Sequence, residues 1–327
     1  MSARVGVGAA FGSCGELLQG VTAGAGRHFL VTLPIRRGAV AVFEPDPTRD
    51  EVTVLPAHKT KSRAVATAVL AATARPGGGT LTVHGDLPEG KGLASSTADL
   101  VATARAVADA AGTRLSAAGI EAVLRAVEPS DGVMYPGAVA FYHREVRLLA
   151  ALGDLPPLTV VTGDEGGSVD TVAFDRHRPP VSAATADEYS ALLAALSTAV
   201  ARRDTATIGA VATRSARLST PLRARPHLED TIAAAERLGA LGVVVAHSGT
   251  TTGILLDERD PDLAAKTAAA QRVCARFAVS VDIHRSWRPA PPEAARRPGA
   301  TTTPRPSDRG RGHRHGARAA LPEVGVL

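Results

Sequence analysis

The chain has 327 residues, 45% hydrophobic and 21% charged, with a formal net charge of +5. So high an apolar fraction excludes an intrinsically disordered chain, and the length suffices for one large domain or two subdomains with a well-buried core. No apolar run approaches the roughly 18–20 residues of a membrane helix, and Met1-Ser2-Ala3-Arg4 does not open the apolar core of a signal peptide.

The positive charge sits at one end. From Arg285 to Leu327 there are nine arginines against three acids, a net +6, so the chain's +5 leaves −1 for residues 1–284. With aromatics at only 3%, this argues against a nucleic-acid-binding face. The two cysteines, Cys14 and Cys274, make neither a disulfide framework nor a metal-ligand spacing, and there is no Asn to glycosylate. A reducing, cytoplasmic setting is expected.

In chain order, Val5–Ala9 alternates weakly, and His28–Leu33 and Ala39–Phe43 read as short β-prone runs. A helix is predicted over Arg63–Ala74 and a strand over Thr80–His84. A helix from about Ser96 carries Leu100, Val101, Ala104, Val107, Ala108 and Ala111 on one face, and Gly112 stops it. A second helix runs from Ser116 to Val127, ahead of Glu128-Pro129. Strands return over 138–162. The second half reads as helices near 187–202, 204–217 and 226–239, strands at Gly242–Ala246 and Gly253–Leu256, a helix over 261–276 and a strand at Val279–Val281. This is an α+β chain in two parts with a boundary within 155–185. The Pro- and Arg-rich segment 285–327 reads as a disordered tail.

One stretch carries chemistry: Pro88-Glu89-Gly90-Lys91-Gly92-Leu93-Ala94-Ser95-Ser96-Thr97, with a strand leading in and an amphipathic helix leading out. Its glycines expose N–H groups that can converge on an anion, and the helix start adds about half a positive charge. One of the hydroxyls of Ser95 and Ser96 can cap the helix, with Asp99 as a box-like partner, and the other can meet Mg²⁺ or a phosphate oxygen. The array suits a triphosphate. A plain Gly-rich turn with a Ser cap has the same sequence signature. Gly85–Lys91 also matches the first seven positions of a Walker A loop, but Gly92 stands where its Ser or Thr belongs, so that match is accidental.

The stretch Pro88-x-x-x-Gly92-Leu93-x-Ser95-Ser96-Thr97 resembles the ATP-phosphate loop of the GHMP kinase superfamily. Two further segments match in the same order: Gly12–Gly20 (GSCGELLQG) resembles its first motif, and Ala246–Gly253 (AHSGTTTG) its third. Together with Glu128–Gly132 (EPSDG) and Gly166–Thr171 (GGSVDT), they are similar to the L-threonine kinases of cobalamin biosynthesis. The resemblance covers about residues 8–283 and implies the two-subdomain GHMP kinase fold. In it, an N-terminal part like ribosomal protein S5 domain 2 (residues 1–165, with a left-handed βαβ crossover) precedes a ferredoxin-like C-terminal part (residues 166–284).

What the resemblance implies about the site follows. ATP is the co-substrate, cradled by residues 88–97, with Mg²⁺ held by Ser96 and Glu128. Asp131 takes the proton of the acceptor hydroxyl or orients it. Ser248, Gly249 and Thr250 close over the phosphates or the acceptor. Glu16, Gln19, Asp170 and Thr171 face the acceptor pocket. An amino-acid acceptor needs a cation for its carboxylate, and the sequence does not single out which Arg supplies it. His143 and His247 are expected to be structural, and Cys14 a packed residue. The expected activity is phosphorylation of a small-molecule acceptor, L-threonine. Another alcohol such as homoserine, an isoprenoid alcohol or a sugar is the alternative, and a non-catalytic nucleotide-binding regulator is the third reading. No nucleic-acid or membrane partner is expected, and the oligomeric state is open.

Overall fold

The first two strands are far longer than the runs predicted for them. In the computed structural model, which describes residues 4–73, 77–167, 181–221 and 223–289, β1 spans Gly6–Val21 and β2 spans His28–Asp46. Small residues hide the first. A Cβ on Gly6 would lie 2.1 Å from the Ala106 carbonyl oxygen, and one on Gly8 2.2 Å from that of Ala102. The helix α2 (Ser95–Ala110) therefore lies almost directly on the β1 backbone, and five of its eleven buried residues are alanine. The second is hidden by Pro34, which has no N–H to give the ladder. Around Pro34 the β1–β2 register shifts between Ser13 and Glu16 and again between Glu16 and Leu18. Such irregularities bend a strand and re-aim its side chains.

The remaining strands are β3 (Val52–Leu55), β4 (Gly78–Gly85), β5 (Ala138–Tyr142), β6 (Arg147–Gly153), β7 (Leu158–Asp164), β8 (Gly242–Val245), β9 (Thr251–Asp257) and β10 (Ser280–Arg285). They form a single sheet of order β10-β7-β9-β8-β1-β2-β4-β3, with β5 on β2 and β6 on β5. All pairings are antiparallel except β3 with β4, which flank α1 (Thr60–Ala72) in a parallel βαβ unit. The N- and C-terminal strands meet between β1 and β8 through one register pair, Glu16 opposite Val245. Glu16 thus stands on the seam of the molecule.

Helices α1, α2 and α3 (Ala117–Leu124) cover the N-terminal strands around Phe43, Leu81, Leu100 and Phe141. Gly112 ends α2 as expected, in a left-handed conformation with its N–H on Asp109 and that of Thr113 on Ala108. Helices α4 (Ala183–Arg202) and α5 (Thr205–Ser219) pack on β1 and β8 around Leu17, Leu18, Leu196 and Ile208. Helices α6 (Leu228–Arg237) and α7 (Leu263–Cys274) cover β8 and β9. Cys14 is fully buried in the second cluster, where burial pushes its thiol far up and leaves it inert.

The segment expected to begin the tail is instead part of the fold at its start. β10 continues through Arg285. Ser286 Oγ accepts the Leu158 N–H at 3.0 Å, and Trp287 stacks on Phe11 with ring centroids 4.5 Å apart. Residues 290–327 lie outside the described residues. Among the described residues no helix is long and apolar enough to cross a membrane.

Candidate active site

The loop from β4 to α2 turns through three left-handed residues, Gly90, Gly92 and Ala94. At Ala94 this conformation carries a Cβ, at a cost of roughly 1 kcal/mol. Helix α2 starts at Ser95, and its N-cap, Ala94, offers no side-chain cap. The expected Ser96–Asp99 capping box is not formed, because Asp99 turns away to the Lys59 ammonium at 2.6 Å. The first intrahelical bond is donated by Ala98 to Ala94. The N–H groups of Ser95, Ser96 and Thr97 are therefore the orphan donors of an uncapped helix start, at the positive end of its dipole.

These residues wall a cleft of about 860 Å³. Ser96 Oγ donates to Glu128 Oε1 at 2.5 Å, and the Lys61 ammonium holds the other Glu128 oxygen. The Asp131 N–H donates to Thr97 Oγ1 at 3.2 Å, and the Ser130 N–H to the His143 carbonyl at 3.0 Å. The Glu128–Gly132 segment is thereby fastened between α2 and the end of β5. Glu16, Asp131, His143, Arg144, His247 and Ser248 complete the wall.

Glu16 is 4% exposed, and its Oε2 has no hydrogen-bond partner. Burial pushes its carboxyl well above the usual carboxylate range, and the nearby Asp131 charge pushes it further. Gln19 lies behind it. Its Oε1 is hydrogen-bonded to His247 Nδ1 at 2.9 Å, while its buried Nε2 meets no acceptor. His143 and His247 meet edge to face with centroids 4.8 Å apart.

The third glycine-rich segment is the turn between β8 and β9, and it sits against the phosphate-type loop. Gly249 touches the loop backbone, where a Cβ would lie 2.0 Å from the Lys91 carbonyl oxygen. Lys91 itself points away from the cleft. Its ammonium pairs with Asp164 at 2.7 Å and donates to the Gly167 carbonyl at 2.6 Å. Burial alone would raise the Asp164 carboxyl, but bonds from Lys91, Thr250 and the Gly166 N–H bring it below its ordinary value. Arg225, 5% exposed, donates to the carbonyls of Ala246 at 2.5 Å and Gly249 at 3.3 Å. Arg223 adds a bond to Gly249 at 2.6 Å. Burial, with the neighbouring Arg223 charge, lowers the Arg225 guanidinium to about 10.

Of the residues singled out from the sequence, Glu16, Glu89, Gly90, Gly92, Leu93, Ala94, Ser95, Ser96, Thr97, Glu128, Asp131 and Ser248 are gathered in the cleft wall. Pro88, Lys91, Gln19, Gly249 and Thr250 are not part of that wall; Thr250 bonds to Asp164 behind the loop. Asp170 and Thr171 lie outside the described residues. Sequence reasoning missed His58, Lys59, Lys61 and Arg144 in the wall, and the Arg225 clamp behind it. Lys59 binds both Glu89 at 2.5 Å and Asp99 at 2.6 Å. Burial disfavours its charge, but those two bonds outweigh burial and raise its pKa.

The donor set admits a hard divalent cation. Among the described residues no group of three or more His, Cys, Asp or Glu gathers as a metal cage. A cation that keeps several waters and takes phosphate oxygens needs only one or two protein oxygens, and Ser96 with Glu128 supplies that pair next to the anion-type loop. Lys61 already neutralises Glu128, so an incoming cation would share or displace it.

An uncapped helix start after a glycine loop, beside a hydroxyl–carboxylate pair, is the architecture of an enzyme that handles phosphate. The family described as GHMP kinases N terminal domain matches residues 61–140, and that described as GHMP kinases C terminal matches residues 193–277. The chain belongs to the GHMP kinase family, and is a phosphotransferase of that two-domain fold. It is 30% identical over 263 residues to the L-threonine kinase of Salmonella typhimurium, covering 77% of this chain and 83% of that relative. To the L-threonine kinase of Citrobacter freundii it is 29% identical over 259 residues, covering 77% and 86%. Among solved structures, homoserine kinase from Cytophaga hutchinsonii superposes with a TM-score of 0.66 at 16% identity, over 86% of this chain and 94% of that one. Mevalonate kinase from Methanococcus jannaschii gives 0.64 at 14% identity, over 87% and 98%.

Proposed function

We propose that this chain transfers the terminal phosphoryl group of ATP to the side-chain hydroxyl of free L-threonine, giving O-phospho-L-threonine for adenosylcobalamin biosynthesis. The observation that carries the reading is the meeting, in one cleft, of the uncapped α2 start, the Ser96–Glu128 pair and Asp131. The threonine kinase relatives support the choice of acceptor.

Phosphoryl transfer asks a protein mainly for positioning and charge neutralisation. The N–H groups of the Gly90–Thr97 turn hold the β- and γ-phosphates, and the helix dipole favours their charge. Ser96 and Glu128 would hold Mg²⁺, which would offset phosphate charge when bound. Asp131 accepts the proton of the threonine hydroxyl as its oxygen forms the new bond to phosphorus, while the bond to the ADP oxygen breaks. The turn at Ser248–Thr250, fixed by Arg223 and Arg225, backs the loop and keeps its amides aimed. The seam at Glu16 brings both halves of the chain to the acceptor.

A coupled assay of ADP release over a panel of L-threonine, homoserine, mevalonate and galactose tests the reading. L-threonine is expected to give the highest kcat/KM. A higher value for another alcohol reassigns the acceptor, and nucleotide binding without turnover on any of them removes the catalytic reading.

A further inference from the structure

A lysine in a glycine-rich anion loop is the obvious phosphate ligand, yet Lys91 is engaged on the far side of its loop. Its neighbours Gly90 and Gly92 line the cleft, and Lys91 does not. Its ammonium pairs with Asp164, at the end of β7, at 2.7 Å and donates to the Gly167 carbonyl at 2.6 Å. The two side chains of the pair are only 20% and 15% exposed, so salt screens them less than a surface pair.

The same residue is held a second time, through its main chain. The Thr251 hydroxyl donates to the Lys91 carbonyl at 2.8 Å, and the neighbouring Thr250 hydroxyl donates to Asp164. The Gly166 N–H donates to the same Asp164 oxygen at 3.0 Å, and the Glu165 N–H to the Thr250 carbonyl at 3.0 Å. These contacts close a ring, from the Lys91 carbonyl to Thr251, from Thr250 to Asp164, and from Asp164 back to the Lys91 ammonium. Gly249 lies against the face of the Lys91–Gly92 peptide: a Cβ there would be 2.0 Å from its oxygen, 2.2 Å from its carbon and 2.3 Å from its nitrogen. A trans peptide is planar, so its N–H points opposite to its C=O. With the carbonyl drawn to the β8–β9 turn, the Gly92 N–H is turned away from that turn, and Gly92 is a residue of the cleft wall.

Resting on ATP as the donor, we propose that Lys91 is a positioning residue and not a phosphate ligand: with Asp164 and Thr250 it fixes the Lys91–Gly92 peptide and so aims the Gly92 N–H at the bound phosphates. The ring ties the loop ahead of α2 to the end of β7 and to the β8–β9 turn. Loss of either charge frees the peptide plane, which must then be reordered when ATP binds, and that ordering is subtracted from the affinity.

A double-mutant cycle tests this, with Lys91→Met, Asp164→Asn and the two combined, each read for ATP affinity by calorimetric titration and for its unfolding midpoint. Each single variant is expected to raise the Kd for ATP about 3- to 30-fold, and the combined variant by no more than the larger of the two, because both break the same ring. A phosphate-bound Lys91 gives another pattern. Lys91→Met then weakens ATP binding, Asp164→Asn leaves it unchanged or tightens it, and independent losses add. Additive losses, or an unaffected Asp164→Asn, overturn the proposal. So does a lowered unfolding midpoint with a wild-type Kd, which makes the pair a tie for the fold alone. Asp164→Asn keeps the shape of the side chain and an oxygen for Thr250, and serves if Lys91→Met does not fold. No acceptor is present in the titration, so the cycle scores Lys91 in the same way if another alcohol displaces L-threonine as the substrate. A wild type that binds no ATP overturns this assignment and the kinase reading together.

Discussion

The hydroxyl of Thr251 donates to the main-chain carbonyl of Lys91 at 2.8 Å, so the third glycine-rich turn is bonded directly to the loop that opens α2. Gly249 and Gly92 make that approach possible. A Cβ on Gly249 would lie 2.3 Å from the Gly92 nitrogen, and neither partner is a flexible side chain that could yield. Gly249→Ala is therefore expected to destabilise the protein by about 1–3 kcal/mol and to weaken ATP binding. Thermal unfolding with and without ATP measures both. A variant with wild-type stability and affinity would show that the two loops do not act as one unit.

Asp131→Asn keeps size and backbone bonding but removes the proposed proton acceptor. Its kcat is expected to fall about 10²- to 10⁴-fold, with ATP affinity close to that of the wild type. Steady-state kinetics and a nucleotide titration separate the two, and near-normal turnover removes Asp131 from the chemistry.

Ser96→Ala and Glu128→Gln each take one oxygen from the proposed cation pair. Nucleotide affinity should fall about 10- to 100-fold in the presence of Mg²⁺ and much less in its absence. Calorimetric titration under both conditions reads the difference. Equal losses with and without Mg²⁺ would assign these side chains to the phosphates alone.

How much of this site was legible in advance depends on how local each signal is. The segment Pro88–Thr97 and the Glu128–Gly132 turn are each contiguous, so their chemistry is visible in a few residues, and the structure brings most of those residues, though not Pro88, Lys91 or Gly132, into one wall. Lys61 and Arg144 reach that wall only through packing of α1 and the β5 turn, and no spacing rule connects them to Ser96. The capping box failed because Lys59, 40 positions away, competes for Asp99. β1 was underestimated because Gly6 and Gly8 serve close helix packing, which erases the period-2 pattern.

Glu16 makes a pH prediction with a definite sign. Its folded-state pKa is raised above the ordinary 4.5 by burial and by the Asp131 charge. The unliganded protein therefore gains stability from this neutral group at low pH and loses it as pH climbs above about 4.5 towards the folded-state value. Glu16→Gln cannot ionise. The stability of the wild type relative to Glu16→Gln, measured by denaturant unfolding across that range, should decline with rising pH. A flat difference would show that Glu16 ionises freely in the folded state.

Trp287 is 5% exposed and stacked on Phe11. Trp287→Ala should cost about 3–5 kcal/mol, read as a lowered unfolding midpoint. A surface-like cost under 1 kcal/mol would place the indole outside the core.

The pairing of Trp287 with Phe11, together with the Trp287 N–H on the Pro34 carbonyl at 2.8 Å, has a consequence for biosynthesis. The amino-terminal ribbon emerges from the ribosome first, yet one of its flanks stays uncovered until residue 287 has been made. During that interval the nascent chain carries an unfinished apolar seam, the kind of surface that chaperones recognise. Synthesis through residue 287 is thus needed before Phe11 gains its ring partner, and a ribosome that stalls shortly before it would release a polypeptide whose motifs are all present but whose Phe11 face is still uncovered.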